Sequence, residues 1–89
     1  MIRLREPDLI QSHGGFGRVL RVDASSLVIK GPDGVEKVID VATGTEILRM
    51  RDKIDLSEVR INEEAVVIGQ PTDEGRVKAE LIRLLPERR

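Results

Sequence analysis

The sequence predicts an all-β fold, a small five-stranded barrel with one short helix between the third and fourth strands. Three observations lead there. The apolar content is mostly valine, isoleucine and leucine with a single aromatic, Phe16, and β-branched aliphatic residues suit a pleated, half-buried surface. Two loops, Gly31-Pro32-Asp33-Gly34 and Pro71-Thr72-Asp73-Glu74-Gly75, carry the residues that close hairpins. Between them, Asp55 to Gly69 reads as one helical turn, a left-handed corner and a strand.

Residues 1–16 show no sustained period, contain Pro7 and end in His13-Gly14-Gly15-Phe16. They are assigned to a tail or linker, with Leu9 and Ile10 packed locally. The domain proper is expected over 17–85. In the first strand Val19 and Val22 have opposite parity, so a bend or bulge must lie between them if both are to be buried on one face. Leu27 and Ile29 then alternate with Ser26 and Lys30 to give the second strand. At the loop that follows, Pro32 presets φ, Asp33 suits the next position and Gly34 can take the left-handed one. The third strand is Val35 to Val41, with Ile39 and Val41 inward. Thr43-Gly44-Thr45 turns the chain toward Ile47, and residues 48–53 read as irregular.

In the central stretch, Asp55 or Ser57 can cap a short helix whose Leu56 and Val59 share a face. Ile61 is expected to re-enter the apolar layer. Asn62 supplies positive φ at the corner, because its short amide tolerates that region better than other side chains do. Ala65 to Ile68 is an unbroken apolar run, read as a strand covered on both faces and ended by Gly69. The last strand, Arg76 to Leu84, repeats the parity break at Ala79 and Ile82, as a second strand coiled around a small barrel would. Pro86 stops it, leaving 86–89 as a charged tail. Five strands with a helix after the third is the order of the OB-like Greek-key barrel.

At 89 residues the chain has room for one core, which buries about 60–65% of the unfolded surface. Charged residues make up 35% of it with a net charge of −1, so acids and bases are interleaved and no strong field of either sign is expected. The sequence has no cysteine, which excludes disulfides and zinc–thiolate sites. No apolar run approaches the roughly 18 residues of a membrane span, and the N-terminus lacks the apolar core of a signal peptide. The chain is therefore expected not to insert in a membrane.

The sequence also resembles an uncharacterised bacterial family of small OB-like domains found on exported or membrane-anchored proteins. The residues that carry the resemblance are Gly17-Arg18-Val19, Leu27-Val28-Ile29, Thr45-Glu46-Ile47, Leu56-Ser57-Glu58-Val59, Val66-Val67-Ile68-Gly69, Gly75, Lys78-Ala79 and Ile82. It departs from the family at the corner, where a Gly-Asp pair is usual and Asn62-Glu63 stands here. The resemblance implies an exported or membrane-anchored location within a longer protein, and no activity.

Catalysis is not expected. His13 is the only histidine and has no nucleophile or orienting carboxylate in its sequence setting. The glycines at 14, 15 and 17 lack the strand, helix and Gly-Lys-Ser/Thr context of a phosphate loop. Glu63-Glu64 and Asp73-Glu74 are neighbours on extended chain, so each pair points to opposite sides and is read as solvated surface. No cofactor or metal is expected.

The candidate interaction surface is the outer face of the second and third strands. Val28 and Val38 would form a small exposed apolar patch there, beside Lys30 and Asp40, and Arg49, Arg51 and Lys53 alternate in the following connection. Single-strand nucleic-acid binders of this fold use stacking aromatics on those strands. Here there are none. The expectation is a non-enzymatic module, monomeric or weakly self-associating, that contacts a protein or an envelope component; the alternative is a weak single-strand nucleic-acid binder.

Overall fold

The computed structural model describes residues 15–85. His13, Leu9, Ile10, Gly14 and the expected tail 86–89 lie outside them. Seven strands form one sheet: β1 (Gly15–Val22), β2 (Ser26–Lys30), β3 (Glu36–Asp40), β4 (Glu46–Arg49), β5 (Asp52–Lys53), β6 (Glu64–Pro71) and β7 (Val77–Leu85). The sheet runs β3-β2-β1-β6-β7-β4-β5, and β3 also pairs in parallel with β7. That extra pairing closes five strands into a barrel. The closed order, β1-β2-β3-β7-β6, is consistent with the expected Greek-key arrangement.

Strand parity is repaired by two bulges, as the sequence requires. Val19 pairs with Ile29 and Arg21 with Val28, so Leu20 is the extra residue and both Val19 and Val22 can face inward. In the same way Ile68 pairs with Leu81 and Gly69 with Ala79, which leaves Glu80 extra and brings Ala79 and Ile82 to one face. Each bulge adds local twist, and a barrel this small needs it. Gly69 sits at the second one, where a Cβ would run into the Lys78 carbonyl and stand 2.9 Å from the Ala79 Cα. The interior is filled by Val19, Leu27, Ile29, Ile39, Ala65, Val67, Ile82 and Leu84; each larger aliphatic among them contributes about 1.5–3 kcal/mol by leaving water.

Both hairpin loops use the same device. Gly34 N–H donates to Gly31 O at 2.9 Å and Gly75 N–H to Thr72 O at 3.1 Å, and the two glycines hold φ of 83° and 79°. Asn62 has φ 78°, as expected of the corner. Its N–H donates to Val19 O at 2.7 Å while Val19 N–H donates to Glu63 O at 2.8 Å, so the corner is fastened to β1.

Several expectations are corrected. The short helix is a single 3-10 turn, Leu56–Glu58, and Asp55 makes no side-chain cap bond; Val59 is nevertheless buried and Leu56 packs against the core. Ile61 does not rejoin the apolar layer but is 53% exposed, because the turn it occupies swings outside the barrel. Residues 48–53 are not irregular. β4 lies parallel to β7, pairing Ile47 with Ile82, and turns through Met50, at φ 61°, into β5. Thr45 fills the break on β7 between the β3 and β4 pairings, its Oγ1 donating to Ala79 O at 2.7 Å. β6 runs on past Gly69 to Pro71 and alternates, with Ala65 and Val67 buried and Ile68 exposed. Among the described residues it is covered on one face only. Finally, β1 begins at Gly15 and not Gly17, with Gly15 opposite Val67 and Phe16 opposite Val66.

Candidate functional site: two outer faces of the barrel

The expected surface on β2 and β3 exists as a ladder but not as an open patch. Ser26 stands opposite Asp40, Val28 opposite Val38 and Lys30 opposite Glu36, so the six do share a face. Val28, however, is only 8% exposed. It is flanked in register by Arg21 on one side and Val38 on the other, and Val38 is itself half-buried. A short side chain enclosed between two strands offers little contact area, whichever way it points.

Asp40 is occupied as well. Arg76 Nε donates to both its carboxylate oxygens at 3.1 and 3.0 Å, and Arg76 Nη2 donates to Oδ1 at 2.7 Å. The Arg76 hydrogen bonds hold the Asp40 carboxyl below its usual range against the opposing effect of partial burial, and Asp40 in turn raises Arg76. The pair joins β3 to the end of the β6–β7 loop across the barrel seam.

The basic series does not act as a row either. Arg49 is a structural clasp: its Nε and Nη2 donate to Glu63 Oε2 and Oε1, each at 2.9 Å, and Nη2 also donates to Glu58 O at 2.8 Å. Glu63 Oε1 further accepts the Arg60 N–H at 2.8 Å. Burial pushes the Glu63 carboxyl up, but the Arg49 hydrogen bonds, the Arg60 amide and the two positive charges together hold it below the usual carboxylate range. Glu63 is therefore not the solvated surface expected of it, since its side chain is 17% exposed and that of Arg49 25%. Arg51 is exposed in the tight turn and Lys53 reaches Glu46 at 3.7 Å. Glu64 is also paired, with Arg18 at 3.4 Å.

A different face is open. On β1, β6 and β7 the register places Phe16 opposite Val66, Val66 opposite Arg83, and Ile68 opposite Leu81. These positions alternate with buried Ala65, Val67 and Ile82, so they share the outside of the barrel. Phe16 is 43% and Ile68 42% exposed, with half-buried Val66 between them and half-buried Leu81 on the far side of Ile68. The ring of Phe16 also borders two clefts beside the β2–β3 loop. One, of about 280 Å³, includes Leu20, Pro32 and the backbone of Gly17 and Gly31; the other, of about 520 Å³, includes Ile29, Val35 and Lys37. The sequence carries a signal for this face. Phe16, Arg18 and Leu20 alternate with Gly17 and Val19, a period of two that extends the first strand back through the glycines.

Among the described residues no group of three or more histidine, aspartate or glutamate side chains is placed to hold a metal ion, and no helix is long and apolar enough to cross a membrane. No protein-family model matches the chain, and no curated protein matches it.

Proposed function

We propose that the protein is a non-enzymatic OB-like module that binds another protein or an envelope component through the outer face of β1, β6 and β7. The observation that carries this is Phe16 and Ile68, the chain's one aromatic ring and a β-branched side chain, left open to solvent on one sheet face with Val66 between them and Leu81 beside Ile68. Aromatic and aliphatic anchors ringed by charges such as Arg18, Arg83 and Glu46 are the usual make-up of a contact surface. The strand order supports the OB-like reading, and the family resemblance supports an exported or membrane-anchored bacterial setting.

The alternative, weak single-strand nucleic-acid binding, gains one observation: Phe16 stands on a strand surface, not in a linker. One ring contributes about 1–3 kcal/mol by stacking on one base, too little alone for useful affinity, so protein binding is preferred. To test the proposal, a photo-crosslinking amino acid is placed at position 68 and, separately, at position 36 in the cells that make the protein. A discrete protein adduct from 68 and none from 36 is expected; no adduct, or equal adducts from both, overturns the proposal.

A further inference from the structure

The clefts on either side of Phe16 have a floor of backbone. A Cβ on Gly17 would stand 2.7 Å from the Lys30 carbonyl oxygen, and one on Gly31 3.2 Å from the Phe16 carbonyl, so the two strands are in contact there with nothing projecting between the walls. The walls of the smaller cleft combine apolar Phe16, Leu20 and Pro32 with Arg18, Lys30 and Glu64. Leu20, the extra residue of the first bulge, shares the smaller cleft with Phe16 and Pro32, an instance of a bulge aiming a side chain at a surface recess.

The charges around this floor are unevenly satisfied. Glu64 is held by Arg18, and the Asp33 carboxylate accepts its own loop's Val35 N–H at 3.1 Å. Lys30 lines the smaller cleft and Lys37 the larger, and among the described residues neither makes an ion pair within 4.0 Å. Lys37 lies over Gly15, its ammonium 3.2 Å from where a Cβ would stand. Among the described residues the smaller cleft thus pairs an apolar centre with one cation that makes no ion pair, Lys30, while Lys37, opposite the interior Ile29, lies on the other side of the backbone floor.

From this the geometry points to an extended segment of a partner protein as the occupant of the smaller cleft: an apolar side chain seated among Phe16, Leu20 and Pro32, with an adjacent carboxylate at Lys30. This deepens the reading of the barrel as a protein-binding module and rests on it. A cleft of about 280 Å³ is at the low end for a small-molecule site and suits a single anchoring side chain.

The test uses the full chain and a phage-displayed library of random dodecapeptides. Enriched peptides are expected to combine an aromatic or large aliphatic residue with a neighbouring acid, and to shift the amide resonances of Phe16, Leu20 and Lys30. Phe16→Ala should weaken a selected peptide by about tenfold and Lys30→Glu by roughly fivefold. Lys78→Glu, with unchanged fold by NMR, should leave binding within about twofold. Enrichment of basic or wholly apolar peptides, no enrichment, or binding indifferent to Phe16→Ala and Lys30→Glu overturns the inference. Tighter binding of a mixed single-stranded oligonucleotide than of any selected peptide also overturns it, in favour of a nucleic acid. A position-68 adduct that survives Lys30→Glu, together with any of these results, leaves the wider proposal standing while this one fails.

Discussion

The outer face of β2 and β3 and the outer face of β1, β6 and β7 are built from the same alternation, yet one is closed and the other open. On the first, Val28 is enclosed between Arg21 and Val38 and Asp40 is held by Arg76. On the second, Phe16 and Ile68 stand in solvent beside half-buried neighbours. Alternation decides which way a side chain points, whereas lateral neighbours and cross-barrel ion pairs decide how much of it a partner could touch. An interaction surface is therefore a property of the closed barrel and not of any one strand.

The largest effect that would sharpen the contrast lies under the open face. Gly69 is pinned against the backbone of Lys78 and Ala79 at the bulge, and this crossing shapes the β6–β7 pair that carries Ile68 and Leu81. Gly69→Ala should cost about 3 kcal/mol, because backbone atoms cannot yield as a side chain can. Gly44→Ala, with open space around the position, should lie within about 0.5 kcal/mol of wild type. Urea melts measure both, and equal midpoints would show that the bulge does not constrain the open face.

The next effect belongs to the clasp beneath the corner. Glu63→Gln leaves Arg49 with fewer charge-assisted bonds at a partly buried site, for a loss of about 2 kcal/mol at neutral pH. The folded-state pKa of Glu63 lies below its unfolded value. Its stabilisation is therefore complete above the unfolded pKa and is lost as pH falls through the folded one. The gap between wild type and Glu63→Gln should hold above the ordinary glutamate pKa of about 4.3 and narrow as the pH falls below it. A gap that widens on acidification would contradict the clasp.

Much of the fold was legible in sequence because its signals are local. Two valines of wrong parity demanded a bend or bulge between Val19 and Val22, which falls at Leu20, Ala79 and Ile82 repeated that parity break, which falls at Glu80, and Pro32, Asp33 and Gly34 defined a hairpin. What was not legible depends on pairing at a distance. The segment Leu48 to Lys53 has no pattern of its own and becomes a hairpin by docking on β7, and Arg49 finds Glu63 only once the corner has turned. The open face was missed because Phe16 sits between glycines, which read as a linker until β6 is seen alongside.

A direct exchange probes the two faces themselves. Val28→Ser should cost about 1.5 kcal/mol, as a buried valine is traded for a hydroxyl, while Ile68→Ser should cost about 0.5 kcal/mol or less. Thermal melts of the two variants would break the comparison if their order were reversed. At the corner, Asn62→Val should lose about 1 kcal/mol, because a branched Cβ clashes at the observed positive φ, and Asn62→Gly should be neutral or slightly stabilising. Indistinguishable midpoints for those two variants would mean that the corner relaxes without cost.

The smallest expected effect is an affinity. Single-strand binders gain about 1–3 kcal/mol per stacked base from rings lined along their strands. Neither face offers more than one ring, and the closed face offers none. The electrostatic share is small for a related reason: Arg49 is committed to Glu63, Arg18 to Glu64 and Arg76 to Asp40, and the remaining bases are interleaved with acids in a chain of net charge −1, so no strong positive field gathers phosphates. A mixed-sequence oligonucleotide titrated into the labelled protein near 0.15 M salt, where charges are screened beyond about 8 Å, should produce no saturable shifts on either face. Saturable shifts at Ser26 to Lys30 and Glu36 to Asp40 would show that the face described as closed is the working one. Shifts confined to Phe16, Arg18 and Lys30 would keep the open face but change its partner from a protein to a nucleic acid.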